Sequence, residues 1–119
     1  MTNYALRRQR LLDTLTTDAF IAVNWEGSDP VSLRYLTGFT GEGTLILSPT
    51  HVALLTDSRY TEQAAQETNE VQIDAGRGWN NKGLFEGLTG RSLRSCTFAS
   101  ARASVYWMEE LGKLGSLQL

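Results

Sequence analysis

The stretch TLILSPTHVALLTDSRYTEQAAQET, from Thr44 to Thr68, decides the reading of this chain. Two apolar runs, Thr44 to Leu47 and Val52 to Thr56, lie on either side of Ser48-Pro49-Thr50-His51, a spacing that predicts a β-hairpin. Thr61 to Thr68 then predicts a helix starting near Asp57 or Ser58, either of which can cap free backbone N–H groups. The joint between hairpin and helix is TDSRY, Thr56 to Tyr60, which ends an apolar strand with an acid, a base and a phenol.

Working back from the hairpin, RYLTGFTG from Arg34 to Gly41 packs aromatic, basic and glycine residues into a predicted turn. Such a turn allows close backbone approach and presents its neighbours outward. Val31 to Leu36 predicts a short helical turn, and Glu26 to Pro30 is polar and turn-like. Ala19 to Trp25 is short, apolar and rich in β-formers, which predicts a buried strand. Residues 3 to 16 predict an amphipathic helix, with Leu6, Leu11, Leu12 and Leu15 as its core stripe and Arg7, Arg8 and Arg10 on a solvated face.

Working forward, Val71 to Asp74 predicts a strand, Asn81 to Leu88 a short helix closed by Gly90, and Cys96 to Ala99 another strand. Ser104 to Leu114 predicts a helix capped by Ser104 and stopped by Gly115. Ser116 to Leu119 reads as the first residues of a further element, so a continuation is expected. Strands and helices in alternation, with one hairpin embedded, predict an α/β sandwich around a mixed sheet of about five strands.

With 119 residues and 41% hydrophobic content, one domain with one core is expected. The formal charge is −2 and the positive charges are scattered, so neither a nucleic-acid footprint nor a nucleic-acid partner is expected. No stretch is apolar enough for a signal sequence or a membrane span, so no membrane association is expected. A single cysteine, Cys96, excludes an internal disulfide and fits a reducing, cytoplasmic setting as an inert thiol in an apolar strand.

The inventory for catalysis on this chain is thin. The one histidine, His51, falls in the predicted hairpin turn, where it reads as exposed and idle rather than as part of a triad. One cysteine and one histidine far apart do not make a zinc site. Glu62, Glu67 and Glu70 read as the solvated face of a helix. Gly76 to Asn81 lacks the third glycine of a dinucleotide fingerprint, and Thr37 to Gly43 lacks the Lys-Ser/Thr pair of a P-loop. No catalytic residue and no metal ligand is assigned.

The two signatures remain. Arg34, Tyr35 and Phe39 flank a glycine turn, and Tyr and Arg are common interface anchors, so these three are the candidates for partner contact or substrate gating. Gly38, Gly41, Asp57, Arg59 and Tyr60 are read as structural: turns, a cap or ion pair, and packing.

RYLTGFTG and TLILSPTHVALLTDSRYTEQA, in that order and separation, resemble the N-terminal domain of the creatinase/prolidase family, metallopeptidases that cleave Xaa-Pro bonds. The resemblance starts at LLDTLTTDAFIAV and covers nearly the whole chain. It implies a three-layer, ribonuclease H-like sandwich preceding a pita-bread catalytic domain absent from this chain. That domain holds two divalent metal ions, manganese, cobalt or zinc, on two aspartates, a histidine and two glutamates. The resemblance further implies that residues 1 to 119 are inactive alone and support dimerisation and closure of the active-site mouth. The implied partners are the chain's own catalytic domain, a second subunit in a homodimer and a proline-containing peptide substrate. Arg34 would meet a substrate carboxylate, with Phe39 or Tyr35 walling the pocket. Glu42-Gly43-Thr44 departs from the family pattern after the second glycine, which leaves dipeptide against longer-peptide preference open. A creatinase-like non-peptidase parent and a non-enzymatic interaction module are the alternative readings.

Overall fold

The computed structural model describes residues 3–24, 29–75 and 81–99. The element order is α1 (Tyr4–Leu12), β1 (Ala19–Asn24), α2 (Pro30–Thr37), β2 (Gly43–Leu47), β3 (Val52–Thr56), a 3₁₀ turn (Ser58–Tyr60), α3 (Thr61–Glu67), β4 (Gln72–Asp74), α4 (Asn81–Thr89) and β5 (Cys96–Phe98). The expected helix 104–114, the tail 116–119 and most of the glycine-rich segment 76–81 lie outside the described residues.

The hairpin is the centre of the sheet. Its strands pair antiparallel with Leu45 opposite Leu54 and Ile46 opposite Ala53. β1 adds antiparallel to β2, with Ile21 opposite Ile46. β4 and β5 then add parallel at the two edges, giving the mixed five-stranded order β4-β3-β2-β1-β5.

The pleat sorts the apolar runs into two cores. Ile21, Val23, Ile46, Ala53 and Leu55 face α4, packing on Leu84 and Leu88. Ala22, Leu45, Leu47 and Leu54 face the opposite side, against Leu33 and Leu36 of α2, Ala64 of α3 and the partly buried Leu11 and Leu12 of α1. Because helices cover both faces, the central strands read as unbroken apolar runs rather than as alternating ones. The result is the three-layer α/β sandwich expected from the sequence.

Helix α1 departs from its expected pattern in two ways. It stops at Leu12, and Leu6 is 44% exposed instead of joining the core stripe. Arg7 and Arg8 do not form a solvated face either. Arg8 is buried and donates to the Leu36 carbonyl at 2.9 Å, and Arg7 donates to the Tyr35 carbonyl at the same distance. Both carbonyls belong to the last turn of α2, where carbonyls lack helical donors and the helix dipole favours cations. The α1 arginines therefore cap α2 from outside. Burial lowers the pKa of Arg8, partly offset by the charge of Glu70.

Candidate functional site

The two signatures, about twenty residues apart in sequence, meet in space. Helix α2 begins where Asp29 accepts from the Ser32 amide and Pro30 occupies the first turn. It ends at Gly38, whose φ of 85° is the left-handed geometry that glycine adopts without strain. A Cβ at Gly38 would lie 2.8 Å from the Glu67 carbonyl oxygen and 3.1 Å from the Tyr4 ring. Both backbone conformation and space therefore call for glycine here.

Phe39 turns inward and is fully buried. Its ring meets that of Tyr60 edge to face, with centroids 6.1 Å apart. Gly41 passes under both rings; a Cβ there would sit 2.6 Å from Phe39 and 2.7 Å from Tyr60. Phe39 thus belongs to the core and does not wall a surface pocket, while Tyr60 ties the TDSRY joint to the glycine turn.

The loop between α2 and β2 is hydrogen-bonded almost residue by residue. The Gly38 amide donates to the Arg34 carbonyl at 2.8 Å and the Phe39 amide to the Thr37 hydroxyl at 3.1 Å. The Thr40 amide and hydroxyl donate to the Glu67 carboxylate at 2.9 to 3.0 Å, and Gln63 donates to the same carboxylate at 3.1 Å. The Gly41 carbonyl accepts from the Asn24 side chain at 3.0 Å, and the Glu42 carbonyl from the Thr56 hydroxyl at 2.6 Å. The turn is a rigid platform, anchored on β1, β3 and α3.

Glu67 is accordingly not the solvated helix residue expected from the sequence. Desolvation pushes its pKa up, but the hydrogen bonds from Thr40 and Gln63, with the charge of Arg34, outweigh this and hold the carboxyl below its ordinary value. Asp57 accepts from both the Arg59 amide, at 2.9 Å, and the Arg59 side chain, at 3.2 Å. Those contacts, the amide first, lower its pKa. The same oxygen thus caps the turn and forms the ion pair.

Of the candidates for outward contact, Arg34 and Tyr35 are exposed. They diverge: Arg34 influences Glu67 on the α3 side, whereas the Tyr35 ring lies 4.1 Å from the Arg7 guanidinium carbon on the α1 side. His51 is half-buried, with Nδ1 2.9 Å from the Thr50 hydroxyl and its backbone amide donating to Ser48. Cys96 is buried, and desolvation raises its thiol pKa to about 12, as expected of an inert thiol. Among the described residues no cluster of His, Cys, Asp and Glu has the makings of a metal site, and no helix is long and apolar enough to cross a membrane.

Sequence reading missed Asn24, Thr40, Gln63 and Glu67 as parts of this platform. The signal for Asn24 is a polar residue closing an apolar strand, and for Gln63 and Glu67 the helical spacing of four. Nothing local marks Thr40 as their partner.

Comparison with known proteins agrees with this architecture. The family model described as the creatinase/prolidase N-terminal domain matches residues 7–115. An X-Pro aminopeptidase from Thermotoga maritima MSB8 superposes with a TM-score of 0.74 at 27% identity, over 95% of this chain and 33% of that one. The creatinase/prolidase-like N-terminal domain of a Corynebacterium diphtheriae protein gives 0.75 at 27% identity, over 98% and 90%. An Xaa-Pro aminopeptidase structure from Streptococcus pyogenes gives 0.79 at 22% identity, over 98% and 88%, and supports the fold alone. No curated protein matches the chain. The chain spans about a third of the Thermotoga enzyme and nearly all of the isolated N-terminal domain from Corynebacterium. With the family model covering most of its length, this chain belongs to the creatinase/prolidase N-terminal domain family.

Proposed function

We infer that this chain is the non-catalytic N-terminal domain of an Xaa-Pro dipeptidase or aminopeptidase, contributing to dimerisation and to closure of the active-site mouth. The observation that carries the reading is the coverage asymmetry: the fold accounts for 95% of this chain but only 33% of an X-Pro aminopeptidase. The chemistry then belongs to a catalytic domain following this one, holding two divalent metal ions in a cytoplasmic homodimer.

Within this reading Arg34 makes the outward contact. It stands exposed on the last turn of α2, directly before a loop whose backbone is fixed on three elements. A guanidinium carried on a rigid support loses little entropy in gripping a carboxylate bidentately. In the two-domain enzyme, Arg34→Ala is expected to reduce kcat/KM for an Xaa-Pro dipeptide about tenfold or more, as loss of a charge-assisted hydrogen bond costs roughly 1.5–3 kcal/mol. Unchanged KM and kcat would remove Arg34 from this role. The 119-residue chain alone, supplied with manganese, is expected to release no proline from the same substrate and to scatter light as a monomer.

A further inference from the structure

We propose that the groove between α1 and α2 is a docking site for an acidic amphipathic peptide segment of another polypeptide, a role separate from the Arg34 contact. The groove has a volume of about 390 Å³, within the usual range for a binding cleft, and its floor is apolar: Leu11, Phe20 and Leu36. Its two walls differ in chemistry. Along α1 run Arg7 and Arg10, three residues apart and so on one helical face. Along α2 run Val31 and Tyr35, four apart, which remain 75% and 53% exposed.

Val31 and Tyr35 are not scattered singly but continue the apolar floor to the surface, the contiguous arrangement in which exposed apolar side chains serve as a contact surface. The arginine wall specifies the charge of the occupant. The Arg7 guanidinium is held in place by the Tyr35 carbonyl at 2.9 Å and by the Tyr35 and Tyr4 rings, whose centroids lie 4.1 and 5.4 Å away. None of these partners is an anion. Among the described residues no carboxylate lies within ion-pair distance of Arg7 or Arg10, and the ion pair between Arg59 and Asp57 lies elsewhere. One cation held in place, Arg7, and one exposed cation, Arg10, neither with a carboxylate partner among the described residues, lie opposite an apolar stripe at helical spacing and complement a segment with carboxylates on one side and aliphatic groups on the other. The concave shape favours such a segment over a flat anionic bilayer.

The test uses the ¹⁵N-labelled 119-residue chain titrated with a blocked leucine–glutamate peptide about three helical turns long. Its leucines sit at i, i+3, i+4 and i+7, and a leucine–lysine peptide of the same pattern serves as control. The expected result is shift changes at Arg7, Arg10, Val31, Ser32 and Tyr35, with the glutamate peptide at least about tenfold tighter than the lysine peptide at low salt. Arg10→Glu, at an exposed position, leaves one cation and one anion on the α1 wall and is expected to abolish the preference, with only a small loss of melting temperature from placing an anion in the last turn of α1. Absence of shifts at these residues at millimolar peptide, equal affinity for both peptides, or an Arg10→Glu protein that still prefers the glutamate peptide would overturn the proposal. So would dimerisation through this face that the peptide does not displace, or Arg10-dependent binding to phosphatidylserine vesicles with no binding of the peptide.

Discussion

At the residue scale the turn between α2 and β2 depends on two glycines for different reasons. Gly38 supplies a left-handed φ of 85° and clearance from the Glu67 carbonyl; Gly41 supplies only clearance, beneath Phe39 and Tyr60. Gly41→Ala is therefore expected to force the rings apart, at a cost of about 1–3 kcal/mol, as in other overpacked sites. Gly38→Ala adds backbone strain of order 1 kcal/mol to its clash with a backbone oxygen, which cannot rotate away. Both losses are measurable as lowered urea midpoints, with the Gly38 variant the lower. Cys96, with its thiol pKa raised to about 12 by burial, is expected to resist a thiol reagent at pH 8 in the folded protein and to react promptly in denaturant.

At the element scale the Glu67 carboxylate joins α3 to the loop that follows α2. Its pKa lies below the ordinary value of 4.5, so the folded state favours the charged form. The sign follows: this contribution is present in full above the unfolded-state pKa and is lost as pH falls through the lower folded-state value. Hydrogen exchange at the Thr40 amide, which donates to this carboxylate, is expected to lose protection as pH is lowered below about 4.5, the ordinary value for this carboxyl. Glu67→Gln, which keeps the shape and removes the charge, is expected to abolish that pH dependence. Helix α2 depends likewise on another element, because Arg7 and Arg8 of α1 satisfy its final carbonyls. Arg8→Met keeps much of the volume but leaves the buried Leu36 carbonyl without its donor, at an expected cost of about 1–3 kcal/mol in chemical denaturation.

At the scale of the whole molecule, the hairpin quoted first forms the middle of the sheet, and both its faces are covered. Leu54, at the centre of β3 and fully buried, faces the three-helix layer. Leu54→Ala is expected to cost about 2–5 kcal/mol, by the loss of buried methyl groups plus the cavity they leave. Most of this architecture was legible in the sequence, because strand and helix periods and their punctuation by Gly, Pro and Asp are local properties. The hairpin, the α3 start at TDSRY and the short strands fall within a residue or two of expectation. The family resemblance, too, rests on two local motifs in a fixed order. What was not legible is what depends on neighbours brought in from afar. Arg8 has the residue type of a surface position, and only the approach of α2 makes it a buried cap. Phe39 has the residue type of an outward contact, and only Tyr60 and the apolar side chains gathered on the same face of the sheet turn it into core. The sequence by itself determined the elements, their order and the α/β class, since these follow from patterning within a few residues. The tertiary structure alone decided which polar side chains are structural and which face outward, since desolvation and hydrogen-bond partners are set by residues distant in the chain.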